Sequence, residues 1–285
     1  MGVSMNVRLI PSHPSLVDYQ IPFLTQYSVV HALLKHVSFS TKHDHLILAG
    51  DLINKGPSSS AVLSLVRSLN ASCVRGNHED KILRARAALF PHYSNTNSHP
   101  TPPAESGEGK RADDLARSLT QGEIDYIQSW PLILDLGALA TLGYGHAAVV
   151  HAGLVPGIPL AEQTPFAVMN MRAIKVHKTR RKHGKGKHGD GHGKEESYTP
   201  SEDRDEGEKW HEVWAAAQER LRHADRMLVV YGHDAKQGLV QREYSIGLDS
   251  ACVRGERLSA LVVEAQGMKV ESLRARKDYT AEDKK

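Results

Sequence analysis

Asp51, Asn77, His78, His151, His233 and Asp234 share one setting: each follows a short apolar run and has a glycine within two residues. The runs are HLILAGD at 45–51, SCVRGNH at 72–78, AAVVHAGL at 147–154 and MLVVYGHD at 227–234. A carboxylate, an amide oxygen and two imidazoles form a mixed nitrogen and oxygen donor set. Such a set suits Zn, Mn, Fe or Ni better than Ca. A single histidine is usually a surface or satisfied core residue; four polar groups placed alike are harder to dismiss.

The runs themselves say what positions these groups. They are short, rich in β-branched residues and not alternating, as strands buried on both faces are. Glycine at each strand end lets the chain turn sharply. Helical spacing separates them: Val30, Leu33, Leu34 and Val37; then Val62, Leu65, Val66 and Leu69; then Trp210, Val213, Trp214, Ala217 and Leu221. Thr120 and Glu123 form a capping box before Ile124 and Ile127. Strand–helix alternation predicts an α/β fold, in which ligands gather beyond the carboxyl ends of the strands. Tyr244–Leu248 and Leu258–Glu264 read as two further strands.

Two stretches read as flexible insertions, at about 91–114 and 175–208. The first is rich in Ser, Asn, Pro and Gly. The second opens with a Lys/His/Gly tract, Lys175–Lys194, and continues into acidic Glu195–Glu208. A solvated loop with partly neutralising charge blocks is the plain reading. The basic half could instead hold a polyanion, or His177, His183, His188 and His192 could bind metal loosely.

The 285 residues suffice for one large domain. A formal charge of +3 argues for neither nucleic acid nor membrane as a partner. No apolar run has the length of a membrane span, and the first residues lack a secretory core. Cys73 and Cys252 form no CxxC pair and read as buried free thiols, so the expected compartment is cytoplasmic.

GDLINKG at 50–56, GNHE at 76–79, HAGL at 151–154 and GH at 232–233 resemble, in order and spacing, the motifs of the calcineurin-like phosphoesterases. Within that family the chain is most similar to the ApaH-like branch, relatives of symmetrical diadenosine tetraphosphatase and endopolyphosphatase. Lys55 in GDLINKGP, NMR at 170–172, and GHDAKQGL with GLDSACVRGERLSALVVE within 232–264 carry that likeness. The resemblance implies a four-layer αββα sandwich over residues 26–264, with 1–25 as an atypical N-terminal segment and 265–285 as a C-terminal tail.

It further implies a metal-dependent phosphohydrolase that cleaves phosphoanhydrides or phosphoesters by attack of metal-bound hydroxide. Polyphosphate or dinucleoside polyphosphates are the favoured substrates. The implied cofactors are divalent ions (Zn, Mn, Fe or Co), normally two and possibly one here. Asp51 would bridge them, Asn77, His151 and His233 would complete the second metal's shell, and His78 would be the general acid. Lys55 and Arg172 would hold phosphate oxygens, although a structural ion pair is an equal reading of Arg172. Asn54 stands where a carboxylate often orients the acid.

One departure is plain. The family's first motif, GDxHG, is missing; Ile21–Thr25 occupies its place, with Pro22 and Leu24 at the ligand positions. A misassigned first exon, a phosphate- or polyanion-binding pseudoenzyme and a one-metal enzyme are the competing readings, and a protein serine/threonine phosphatase is a further alternative. Without the usual first strand the sheet would suffer, unless Val7–Ile10 substitutes for it.

Overall fold

The structure is a computed structural model that describes residues 6–10, 27–55, 59–91, 107–180, 194–265 and 267–275. Its frame is two five-stranded mixed sheets. In the first, β1 (Asn6–Ile10) lies parallel to β2 (Asp44–Leu48), which lies parallel to the short β3 (Ser72–Cys73). The tract Val7–Ile10 thus fills an interior place, because β12 (Arg257–Glu264) pairs antiparallel with the other edge of β1. Residues 21–25, where the first motif is expected, lie outside the described residues.

The second sheet has the order β10–β11–β9–β5–β4. Its strands are β4 (Ile133–Leu139), β5 (Tyr144–Val150), β9 (Met227–Tyr231), β10 (Val240–Arg242) and β11 (Ser245–Gly247). Here β5 and β9 run parallel.

Period-two alternation explains the layers. Leu46 and Leu48 of β2, with Leu258, Ala260 and Val262 of β12, face helices α1 (Tyr27–His36), α2 (Ser59–Ser68), α3 (Asn77–Leu89), α4 (Gly107–Ser118) and α5 (Gln121–Gln128). Ile47, Leu261 and Val263 point the other way. They join Val149, Leu228 and Val230 in a second core, shared with α6 (Pro165–Asn170) and α7 (Trp210–Glu219). Helix, sheet, sheet, helix is the architecture expected. The Thr120–Glu123 capping box forms as read, with Thr120 N–H donating to Glu123 at 2.8 Å.

Four expectations need correction. Part of 175–208 is not loop: β6 (Ala173–Arg180) and β7 (Lys194–Ser201) form an antiparallel hairpin, and β8 (Glu208–Lys209) pairs on the far edge of β6. Ile174 is buried, and Val176 and its partner Tyr198 pack on the second core, which is what anchors so polar a hairpin. Likewise, α4 begins at Gly107, inside the stretch read as flexible, because Ala112 and Ala116 bury one face of it. The supposed tail holds β13 (Gly267–Arg274), paired with β12 over its whole length. The remainders, 92–106, 181–193 and 276–285, lie outside the described residues. Leu221, read as part of the α7 stripe, falls beyond the helix and is exposed.

Candidate metal centre

Parallel pairing decides where the polar groups meet. The carboxyl ends of β2 and β3 lead to Asp51 and to Asn77–His78, and those of β5 and β9 lead to His151 and His233. The two sheets face one another across their shared core, so four strand ends converge on one point. Close approach there requires glycine. Gly50 has φ +87°, and a Cβ on it would lie 2.8 Å from His151 Nδ1 and 2.9 Å from Gly76 N. Asp51, Asn54 and His233 also have positive φ, a costly backbone state for histidine that packed surroundings must hold.

All four expected donors come together. Asp51 Oδ1 is 3.3 Å from His151 Nε2, which is 3.0 Å from Asn77 Oδ1. His233 Nδ1 is 3.1 Å from both Asn77 Oδ1 and His151 Nε2. Asp51, His151 and His233 are buried.

The other ring nitrogens fix the tautomers. His151 Nδ1 donates to the Ala49 carbonyl at 2.7 Å, and His233 Nε2 donates to the Asn170 carbonyl at 3.1 Å. A carbonyl accepts only, so each hydrogen sits on that nitrogen and each lone pair faces the centre. Four acceptor atoms then face one another, which needs a proton or a cation among them. A tetrahedral ion with bonds of about 2.0–2.1 Å has ligand–ligand edges of about 3.3–3.4 Å, close to the separations here. The donor set therefore fits such a cation.

The electrostatics agree. Burial opposes charge on His151, but the Asp51 carboxylate and the Ala49 carbonyl outweigh it and raise its pKa. Burial, helped by the charges of His151 and Arg172, drives the pKa of His233 well below the ordinary imidazole value. One imidazole thus attracts the proton that a cation would displace.

His78 lies beside this cluster, its Nε2 3.7 Å from Asp51 Oδ2 and its backbone N–H on Asp51 Oδ1 at 2.9 Å. Its Nδ1 is 3.0 Å from Asn54 Nδ2, while Asn54 Oδ1 is buried without a partner among the described residues. With the Asn54 amide turned end for end, Oδ1 accepts the His78 Nδ1 hydrogen and Nδ2 takes the place without a partner among the described residues.

Lys55 is half-buried, and its charge pulls weakly against the burial that raises the pKa of Asp249. Arg172 donates to the Glu202 carbonyl at 3.1 Å. Burial and then the neighbouring Arg204 lower its pKa, while the charges of Asp234, Glu202 and Asp51 act in the opposite sense. Among the described residues Arg172 makes no carboxylate ion pair; Asp234 is clamped instead by Arg204, whose Nε lies 3.1 Å from both carboxylate oxygens.

Two carboxylates were missed by sequence reasoning. Glu79 is fully buried and accepts from the N–H groups of Asp51 (2.7 Å), Leu52 (2.7 Å), Ile53 (3.2 Å) and Gly76 (2.8 Å). It ties the Asp51 loop to the Asn77 loop. Burial, then the charge of Asp51, pushes it up to about 7, against the pull of the Gly76 and Asp51 N–H groups. Its place in GNHE was the available signal. Asp249, within GLDSAC, is buried and pushed up to about 6, mainly by burial. Among the described residues, Asp51, His151 and His233 are the one cluster of His, Cys, Asp and Glu side chains spaced for a metal.

Comparison with known proteins gives this geometry its context. The family described as calcineurin-like phosphoesterase matches residues 25–263. A zinc-dependent endopolyphosphatase of Saccharomyces cerevisiae is 30% identical over 242 residues, 77% of this chain and 66% of that protein. A symmetrical bis(5'-nucleosyl)-tetraphosphatase of Chromohalobacter salexigens is 31% identical over 150 residues, 50% of this chain and 47% of that protein. The chain thus spans about two thirds of the first relative and about half of the second. A solved structure provisionally named a diadenosine tetraphosphatase superposes with a TM-score of 0.63 at 28% identity, covering 95% of this chain and 93% of that one.

Proposed function

Because this chain belongs to the calcineurin-like phosphoesterase family, we propose that it is a metal-dependent hydrolase of phosphoanhydrides, with polyphosphate or dinucleoside polyphosphates as substrates. The observation that carries this is the meeting of four lone-pair donors, from Asp51, Asn77, His151 and His233, with every second imidazole nitrogen tied to a carbonyl. Zinc fits the donors, and manganese, iron or cobalt are the alternatives. A divalent ion bound there lowers the pKa of water and neutralises phosphoryl oxygens.

The chain's own residues do the rest. Asp51 uses Oδ1 toward the cluster and Oδ2 toward His78, so one carboxylate sets both the cation and the acid. His78, with Asn54 fixing its Nδ1, presents Nε2 on the substrate side and hands a proton to the leaving oxygen. An amide supports a charged imidazole less than a carboxylate would. Arg172, within electrostatic reach of His233, and Lys55 hold non-bridging oxygens. Arginine does so as a planar fork, lysine as a point charge.

The test is phosphate release by the purified chain from polyphosphate and from diadenosine tetraphosphate, with Zn, Mn, Co or Mg added in turn. Metal-dependent release, lost in Asp51→Asn and His78→Ala, is expected. Tight phosphate binding without release would replace this reading with a non-catalytic binding protein. That second reading draws on a single metal-type cluster among the described residues, where the family's resemblance implies two ions.

A further inference from the structure

A groove of about 450 Å³ starts at Asn77 and runs away from the metal cluster along α3. Asn77, Lys81, Arg84, Ala85 and Ala88 lie three or four residues apart, so one face of that helix forms its floor. Ala112 of α4 and Phe166 of α6 form the facing walls. Phe166 lies one helical turn before Asn170, whose carbonyl holds His233 Nε2, and whose side chain donates to the Phe166 carbonyl at 3.3 Å. It is 43% exposed among the described residues, a large apolar surface at the edge of a polar site.

The charge on the groove says what would fill it. Among the described residues, Lys81 and Arg84 face Asp80, Asp113 and Glu202, two cations against three carboxylates, a net of −1. Arg84 is already paired with Asp80 at 2.6 Å. A bare polyphosphate chain, one negative charge or more per phosphate, is repelled by that balance. A nucleoside is not: its base is apolar on both faces, and its ribose hydroxyls are donors that carboxylate oxygens accept. The volume is that of an ordinary small-molecule site.

The geometry points to a nucleoside subsite: the groove takes the nucleoside end of a nucleoside-capped polyphosphate, with the base against Phe166 and the phosphates leading back past Arg84 and Lys81 to the metal cluster. This rests on the phosphohydrolase reading for its orientation, and it selects dinucleoside polyphosphates over the bare polymer.

Calorimetric binding of ADP and of tripolyphosphate to the full chain tests it, alongside hydrolysis of diadenosine tetraphosphate and polyphosphate. Phe166→Ala is expected to weaken ADP binding roughly tenfold, the stacking increment of one base, and to leave tripolyphosphate unchanged. Phe166→Tyr should keep ADP affinity, since it keeps the ring. In turnover the Ala variant should raise KM for diadenosine tetraphosphate with little change in kcat. No ADP binding by the unaltered chain, or equal loss for both ligands, overturns the subsite. If ADP binds and discriminates as expected while no substrate is hydrolysed, the subsite stands and the hydrolase reading fails. Hydrolysis of polyphosphate alone, with no ADP affinity, upholds the hydrolase reading and overturns the subsite.

Discussion

Glu79 shows how much one buried carboxylate can organise. Its two oxygens each accept two backbone N–H groups, from Asp51 and Gly76 on one side and Leu52 and Ile53 on the other. In Glu79→Gln one oxygen becomes an amide that only donates, so one of those pairs loses its acceptor in a buried place. Each abandoned N–H costs about 1–3 kcal/mol, so a loss of roughly 3 kcal/mol in urea unfolding is expected, against less than about 0.5 kcal/mol for Glu219→Gln on the exposed end of α7. A Glu79→Gln protein as stable as the parent would remove this account. The ligand residues were legible because each stands behind a buried strand in a distinctive motif. The task of Glu79 was not, since it reaches from the start of α3 back to the Asp51 loop, a long-range contact that no local pattern encodes.

Elements were readable where an apolar period is clean, and misread where charge hides it. The β2, β5, β9 and β12 runs are apolar on both faces because both faces are covered. In the β6–β7 hairpin Ile174, Val176 and Tyr198 pack on the second core amid Lys, His and Glu, so its composition reads as solvated loop. Helix α7 is a different case, an apolar stripe with a buried histidine next to it. His211 sits beside Trp210, buried, its Nε2 2.6 Å from Gln237 Nε2 and its Nδ1 without a partner among the described residues. Burial, then the charge of Arg242, lowers its pKa to about 4. The unfolded chain keeps the ordinary imidazole value near ~6.5, so between these values the unfolded state binds more protons. The stability from a neutral His211 is full above about pH 6.5 and is lost as pH falls toward 4, by up to about 3 kcal/mol at ~1.36 kcal/mol per pKa unit. His211→Gln, which has no such titration, should show a shallower fall in unfolding free energy from pH 7 to 4.5. Parallel curves for the two proteins would sink the idea.

At the scale of the whole molecule, the cluster joins two sheets that share no strand. Asp51 and Asn77 hang from the first sheet, His151 and His233 from the second. In the unfolded chain they are scattered along the sequence, so a cation that needs all four binds only the folded, docked arrangement. Its binding free energy is then folding free energy. At a zinc concentration one hundred times Kd the gain is about 2.7 kcal/mol, worth roughly 5–10 °C in Tm for a chain of this size at about 2–4 °C per kcal/mol. Thermal unfolding with a chelator and then with rising zinc should show that shift, growing with the logarithm of zinc. His78→Ala should keep it, because His78 supplies no donor to the four-atom cluster. The double variant His151→Ala, His233→Ala should lose it. The Lys/His/Gly tract offers a competing zinc trap, but His183, His188 and His192 are not among the four donors, so zinc held by them would persist in the double variant. A zinc-dependent Tm that survives the loss of both histidines would therefore place the stabilising ion in the tract and leave the two sheets held by their core alone.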